Sequence, residues 1–346
     1  MLQMVRIGMP CVLNDSDMGR AKHEFSWRPI IFGMHEVTHA PIFSAGSSAN
    51  QLLPEPLASS RLWLPKLSLS ACVLSVFSRN TMGTELSETQ RYSHFPSVPA
   101  CCLIWVLDGE MAMLERGAKA QTGSPRVHLP DQFIFAGPFD QPRVVWNPGD
   151  ARILVLMLLP DAFHAMTAIE SAAYVNRNVP AHEVLGEDWL AMSHAVREAP
   201  DDAQRVAIIE RFLDPLWART RPDDSFHGKL LKDWSQGLAI RAATSGFGRS
   251  LRQAERRIKQ WTGQPMRDLR GAGRLEMAFF ETLMAMESGD VNWAEIAIAC
   301  GYADQAHFCR HTRQLTGFSP EDLQQRILKD EALWFYRLWS GTRLAV

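Results

Sequence analysis

The chain has 346 residues, 46% hydrophobic and 21% charged, which is about two domains' length with ample material for a buried core. Its longest apolar runs, residues 100–107 and 153–159, fall far short of the ~18–20 residues of a transmembrane helix, so no membrane partner is expected. Taken as a total, the formal net charge of −2 speaks against a protein that lives on nucleic acid.

The first residues show no basic segment followed by a long apolar stretch, so a cytoplasmic location is expected. That fits six cysteines (Cys11, Cys72, Cys101, Cys102, Cys300 and Cys309) without a Cys-x-x-Cys pair, which read as reduced thiols. Residues 1–60 carry Pro10, Pro29, Pro41, Pro54 and Pro56 and little periodicity. They are expected to be an irregular leader with a short strand near 29–32. Over 61–160, β-rich runs at 69–77, 100–107, 132–135, 143–146 and 152–159 alternate with turn clusters such as Asp108-Gly109 and Asn147-Pro148-Gly149-Asp150. This predicts a small barrel or sandwich.

After Pro160 the pattern turns helical. Helices are expected over 162–171, 189–197 and 203–218 within a linker or dimerisation region at 161–222. A second helical domain follows at 225–330, and then a tail at 331–346. The fold class is thus α+β: a small N-terminal β-barrel with a helical appendage, then an all-α C-terminal domain.

A unit recurs within the last third. Gly248 and Gly301, 53 positions apart, each open a glycine turn followed by a polar cap (Ser250, Asp304), an Arg- and Gln-rich helix, Thr-Gly and a proline. Ser250 with Gln253 forms a capping box, and Ser319-Pro320 caps the next helix. Candidate helices at 233–243 and 293–300 precede the two glycines, completing two helix-turn-helix patterns joined by a helix over 274–287. Gly271 and Gly273 are expected to break the chain just before that linker helix. On the first helix Leu251, Ala254, Ile258 and Trp261 form the stripe that should face the core. Arg252, Gln253, Arg256 and Lys259 then face out. The arginines suit base edges and Lys259 suits phosphate. On the second helix Phe308, Thr312 and Leu315 form the seam, with Ala306, Arg310, Arg313 and Gln314 turned away, Gln305 at the shoulder, and His307 and His311 flanking as polar surface.

The stretches Ser250-Leu-Arg-Gln-Ala-Glu-Arg-Arg-Ile-Lys259, Arg274-Leu-Glu-Met-Ala278 and, above all, residues 294–320 (Ala-Glu-Ile-Ala-Ile-Ala-Cys-Gly-Tyr-Ala-Asp-Gln-Ala-His-Phe through Gly-Phe-Ser-Pro) resemble the AraC-type transcriptional regulators. The resemblance implies a double helix-turn-helix domain bound to promoter DNA. Its base-reading positions carry over to Arg252, Glu255 and Arg256, and to Gln305, Ala306, Cys309 and Arg310. The helical wheel agrees on Arg252, Arg256 and Arg310 but puts Glu255 nearer the flank. Thr312 stands where the family has a core Phe. The region 65–220 more faintly resembles the cupin-like sensor domains that precede such units. This implies a β-barrel pocket and helices for dimer contact or interdomain signalling; a small-molecule effector, a second copy of the chain and RNA polymerase are the candidate partners besides DNA.

The alternative is a cupin-like metalloenzyme with a vestigial helical domain. Against it, the barrel region offers only His94 and His128, with no His-x-His, and metal-dependent chemistry needs several converging ligands. No catalytic residue, metal or cofactor is expected. Trp105, Phe133, Phe135 and Trp146 are the aromatic candidates for lining a pocket or filling the core. Charge, once divided, also favours DNA: residues 229–274 hold 11 Lys and Arg against 3 Asp and Glu, whereas residues 275–330 hold 4 against 9. The basic patch lies on the first unit, where phosphate contacts are expected to begin.

Overall fold

The structure, a computed structural model, describes residues 58–222, 230–245 and 250–341, together with the backbone of a strand at His35–Val37. Most of the expected leader, its strand near 29–32, the turn at Gly246 and Gly248, and the end of the expected tail lie outside the described residues.

The β part comprises β1 (His35–Val37), β2 (Ser59–Leu64), β3 (Val73–Asn80), β4 (Tyr92–Phe95), β5 (Cys101–Asp108), β6 (Ala112–Leu114), β7 (Arg126–His128), β8 (Phe133–Ala136), β9 (Arg143–Trp146), β10 (Arg152–Leu158) and β11 (Asn178–Pro180). They form a seven-stranded sheet, β1-β2-β3-β10-β5-β8-β11, and a four-stranded sheet, β4-β9-β6-β7. Every pairing is antiparallel, with Val155 of β10 opposite Phe77 of β3 and Ile104 of β5. β10 is apolar and buried without alternation from Ile153 to Leu158, as a central strand covered on both faces requires. In β5 the faces alternate: Cys101, Leu103 and Trp105 are fully buried, while Cys102 and Ile104 keep partial exposure.

The sheets share no strand, so of the expected barrel or sandwich the β part has the sandwich form, two open sheets face to face. The three-residue strands β7 and β11 end them without pairing across the gap. Strands β2, β4, β6, β7 and β11 were not anticipated, and β2 crosses the boundary drawn at residue 60.

The helices are α1 (Pro160–Thr167), α2 (Glu187–Glu198), α3 (Asp202–Thr220), α4 (Leu231–Thr244), α5 (Leu251–Thr262), α6 (Met266–Ser288), α7 (Trp293–Ala299), α8 (Gln305–Thr316), α9 (Pro320–Ile327) and α10 (Trp334–Ser340). α1 stops earlier than expected because Ala168 turns left-handed at φ 58°. Asp201 caps α3 by accepting from Gln204 N–H at 2.8 Å. Buried Arg205 then donates to the Val196 and Ala199 carbonyls at the end of α2.

One expectation is overturned in the C-terminal part. α6 runs unbroken through Gly271 and Gly273. Both glycines serve close approach instead: a Cβ on Gly273 would lie 2.8 Å from the Lys232 backbone, and one on Gly271 2.9 Å from His311 Nε2. The stretch named as a tail from 331 is helical over most of its described part. Residues 331–333 form a 3-10 turn and α10 follows, with Trp334, Phe335, Tyr336 and Leu338 all buried. Its apolar face packs on the β part, where Phe335 lies 5.1 Å from Phe77 and 5.0 Å from Phe95 between ring centres.

Candidate nucleic-acid interface

α4 and α5 form the first helix-turn-helix pair, and α7 and α8 the second, with α6 running between them. Each second helix is set by local chemistry. Ser250 Oγ accepts from Gln253 N–H at 3.3 Å, and the Gln253 side chain answers to Ser250 N–H at 3.4 Å, which satisfies donors that the first turn leaves open. Asp304 accepts from His307 N–H at 2.6 Å to begin α8. Gly263 (φ +74°) and Gly317 (φ +84°) end α5 and α8 in left-handed caps, a conformation that suits glycine.

The predicted faces are largely as expected. On α5, Arg252, Gln253, Glu255, Arg256 and Lys259 are exposed, with Ile258 buried and Ala254 and Trp261 half-buried. Leu251 departs from the expected stripe at 86% exposure. It occupies the first helical position, ahead of the turn at which Ile258 meets the core. On α8, Gln305, Ala306, Arg310 and Arg313 are exposed, Cys309 is half-buried, and Phe308, Thr312 and Leu315 form the buried seam. Gln253 is partly committed to its cap, which leaves Arg252, Arg256 and Lys259 as the outward cations of α5.

His311 differs from the expected polar flank. Its Nδ1 lies 2.9 Å from the Tyr302 hydroxyl, and burial, with Arg274 and His307 nearby, lowers its pKa. Arg274 in turn lies 5.5 Å over the Tyr302 ring. His307 stays half-exposed. Around Thr312, Phe308, Leu283, Ala278 and Leu323 line an apolar cavity of about 90 Å³.

Both units are fastened to the β part. Asp161 of α1 accepts from Trp234 Nε1 at 2.8 Å and pairs with Arg241, both on α4. At the other end, Ser97 N–H donates to the Leu315 carbonyl of α8 at 2.7 Å. Gln264, between α5 and α6, donates to the Phe139 carbonyl at 3.2 Å.

Among the described residues no three His, Cys, Asp or Glu side chains gather to hold a metal. His94 packs edge-on to Phe318 at 5.1 Å, and His128 is exposed on β7. Nor do the aromatic candidates line the cavity between the sheets. Trp105 stacks on Phe133 and donates to Ser193 of α2, Phe135 stacks on Phe163 of α1, and Trp146 lies under Arg126. Arg143 lines that cavity and was not anticipated. A lone arginine opening a four-residue strand carries no motif, and only the pairing of β9 with β4 turns it inward.

Residues 244–326 match a family model described as a helix-turn-helix domain. No curated protein matches the chain. Among solved structures, ToxT from Vibrio cholerae is similar at 11% identity over 66% of this chain and 91% of that one, with a TM-score of 0.31. A ToxT structure from Vibrio cholerae strain SCE256 with an unsaturated fatty acid bound is similar at 11% identity over 66% and 92%, TM-score 0.30. The AraC-like transcriptional activator CuxR is similar at 12% identity over 81% and 86%, TM-score 0.25. Likenesses of this strength place no residue and no ligand in this chain.

Proposed function

We propose that the helix-turn-helix domain at residues 244–326 is of the AraC type, the DNA-binding unit of transcription regulators, and that the chain reads DNA as follows. α5 and α8 enter successive major grooves on one face of promoter DNA, ~34 Å apart. Arg252 and Arg256 read guanine edges from α5, Glu255 flanks them, and Lys259 holds phosphate. On α8, Arg310 is the main reader. Gln305 stands at the helix start, Arg313 touches the backbone, and Ala306 and Cys309 contribute shape more than hydrogen bonds. Ser250 and Gln253 fix the start of α5. The observation that carries this reading is that each pair's second helix is capped at both ends and turns its arginines to solvent.

The proposed division follows: a cupin-like sensor over 61–160, a helical dimerisation region at 161–222, and the reader at 225–330. The sensor would bind a small-molecule effector, α2 and α3 would support a homodimer, and RNA polymerase is a candidate partner in the cytoplasm. Among the described residues no helix is long and apolar enough to cross a membrane. Gel shifts with genomic fragments across a salt series test the central statement. Selective retention of some fragments at moderate salt is the expected result, and retention no better than that of nonspecific DNA would refute it.

A further inference from the structure

An apolar cavity of about 100 Å³ lies between the two sheets, where a single water needs ~10–15 Å³. Phe77, Ile104 and Val155 wall it from the larger sheet and Val145 from the smaller, and Phe335 of α10 also reaches it. Arg143 is its one charged lining residue. The guanidinium lies over the Phe139 ring, and Nη1 is 4.0 Å from the Met113 sulfur.

Among the described residues no carboxylate forms a salt bridge with Arg143. The nearby Asp140 is exposed, and its Oδ1 takes the side-chain amides of Asn176 at 2.9 Å and Gln141 at 3.0 Å. Burial pushes the guanidinium pKa well below its ordinary value, with Cys102 and Asp140 acting against that shift. Arginine does not shed its proton in proteins, so the half-buried side chain keeps its charge, and a cation set among apolar walls without a carboxylate partner suits an anion. Asn178, just behind the cavity lining, donates to the same Met113 sulfur at 2.8 Å, and its buried Oδ1 has no hydrogen-bond partner among the described residues. A half-turn of that amide would present a donor in its place.

We propose that this cavity binds a small monocarboxylate with an apolar body, its carboxylate held by Arg143 and its hydrocarbon lying between the sheets. The planar fork of arginine matches a carboxylate in two parallel bonds, and the remaining walls offer only apolar contact. The inference rests on the reading of this domain as an effector sensor and names the class of effector. Phe139, whose ring carries the guanidinium, also holds Gln264 at the joint between α5 and α6. The occupant therefore sits one side chain away from the first reading helix.

Hexanoate and 1-hexanol, titrated into the full chain by calorimetry, separate the charge from the apolar body. Hexanoate is expected to bind at least ~10-fold tighter than hexanol, the range of a charge-assisted hydrogen bond. Arg143→Met should abolish that preference while still binding hexanol, which also reports that it folds. Val145→Phe, which fills the cavity from the same face of β9 that carries Arg143, should weaken both ligands. Equal binding of acid and alcohol, unchanged acid binding in Arg143→Met, or no binding of either at millimolar concentration would overturn the proposal. Gel shifts on the same preparations keep the two readings apart. Selective DNA retention without hexanoate binding removes this ligand class alone, whereas hexanoate binding without selective retention removes the regulator reading alone.

Discussion

Arg79 of β3 and Glu331, 252 residues later, meet in a salt bridge of 2.7 Å with both side chains buried. Glu331 also accepts from Arg337 of α10 at 2.7 Å. Arg79 lies 4.7 Å over the Trp334 ring and reaches Ser60 Oγ at 3.1 Å. The end of the chain is thus clamped to the β part by charge, and Trp334 Nε1 donating to Ser93 at 2.8 Å adds a second fastening.

Glu331→Ala should therefore cost about 3–5 kcal/mol, because it strands the Arg79 guanidinium without its anion. Arg337 is less affected, since it also donates to the Ile327 and Asp330 carbonyls. Replacing the pair together, Arg79→Met with Glu331→Leu, should recover most of the loss. Urea unfolding of the three proteins checks this. A double variant as unstable as the single one would show that the clamp contributes more than charge compensation.

Gly273→Ala and Gly271→Ala should diverge although both exchange glycine for a better helix former, worth ~1 kcal/mol in an open helix. At Gly273 the new methyl meets the Lys232 backbone at 2.8 Å, so α4 must move away from α6, at about 1–3 kcal/mol. At Gly271 the obstacle is the His311 ring at 2.9 Å, a side chain that can turn aside by giving up its Tyr302 contact, a loss that the gain in helix propensity offsets. Thermal melts should show a clear fall for the first and little change for the second.

These contacts mark the boundary of what is legible in the sequence. The caps of α5 and α8 depend on residues three apart, Ser250 with Gln253 and Asp304 with His307, so local pattern suffices. The buried positions Ile258, Phe308 and Leu315 follow from helical period, while Leu251 fails because period alone does not say where a helix begins to touch its neighbour. Strands β4, β6, β7 and β11 have only three or four residues each, and β4 and β11 pair with strands some forty or more positions away in the chain. Gly271, Gly273 and Arg143 are defined wholly by what approaches them in space. A glycine in a helix reads as a break until the approaching backbone is known.

Glu276 should make stability fall with rising pH. Burial pushes its pKa from 4.5 up to about 7, with Asp233 adding to the rise and Leu231 N–H, which donates to it at 2.7 Å, opposing. Between about 4.5 and 7 the folded chain holds a proton that the unfolded chain has released, so stability drops across that window and levels off above it. Glu276→Gln keeps an acceptor for Leu231 N–H and removes the titration. It should match wild type near pH 4 and exceed it at pH 8 by up to ~3 kcal/mol, at 1.36 kcal/mol per pH unit. Urea unfolding at the two pH values reads the difference directly, and a constant gap between wild type and variant would contradict the assignment.

Arg256→Ala and Lys259→Ala should separate base reading from phosphate holding on one helix. Both side chains are exposed on α5, so neither substitution opens the core, and circular dichroism should be unchanged. Losing a bidentate contact at Arg256 should cost about 1–3 kcal/mol on the preferred site and relax selection at one base pair. Losing Lys259 should weaken all sequences about equally and reduce the slope of log affinity against log salt by ~1. Arg310→Ala should resemble Arg256→Ala with a smaller loss, because α8 lies in the acidic part of the domain and carries Ala306 and Cys309 beside it. Binding to a randomised site library, read at two salt concentrations, distinguishes these outcomes. Base selection identical in wild type and Arg256→Ala would remove Arg256 as a reader, and an unchanged salt slope in Lys259→Ala would remove its phosphate.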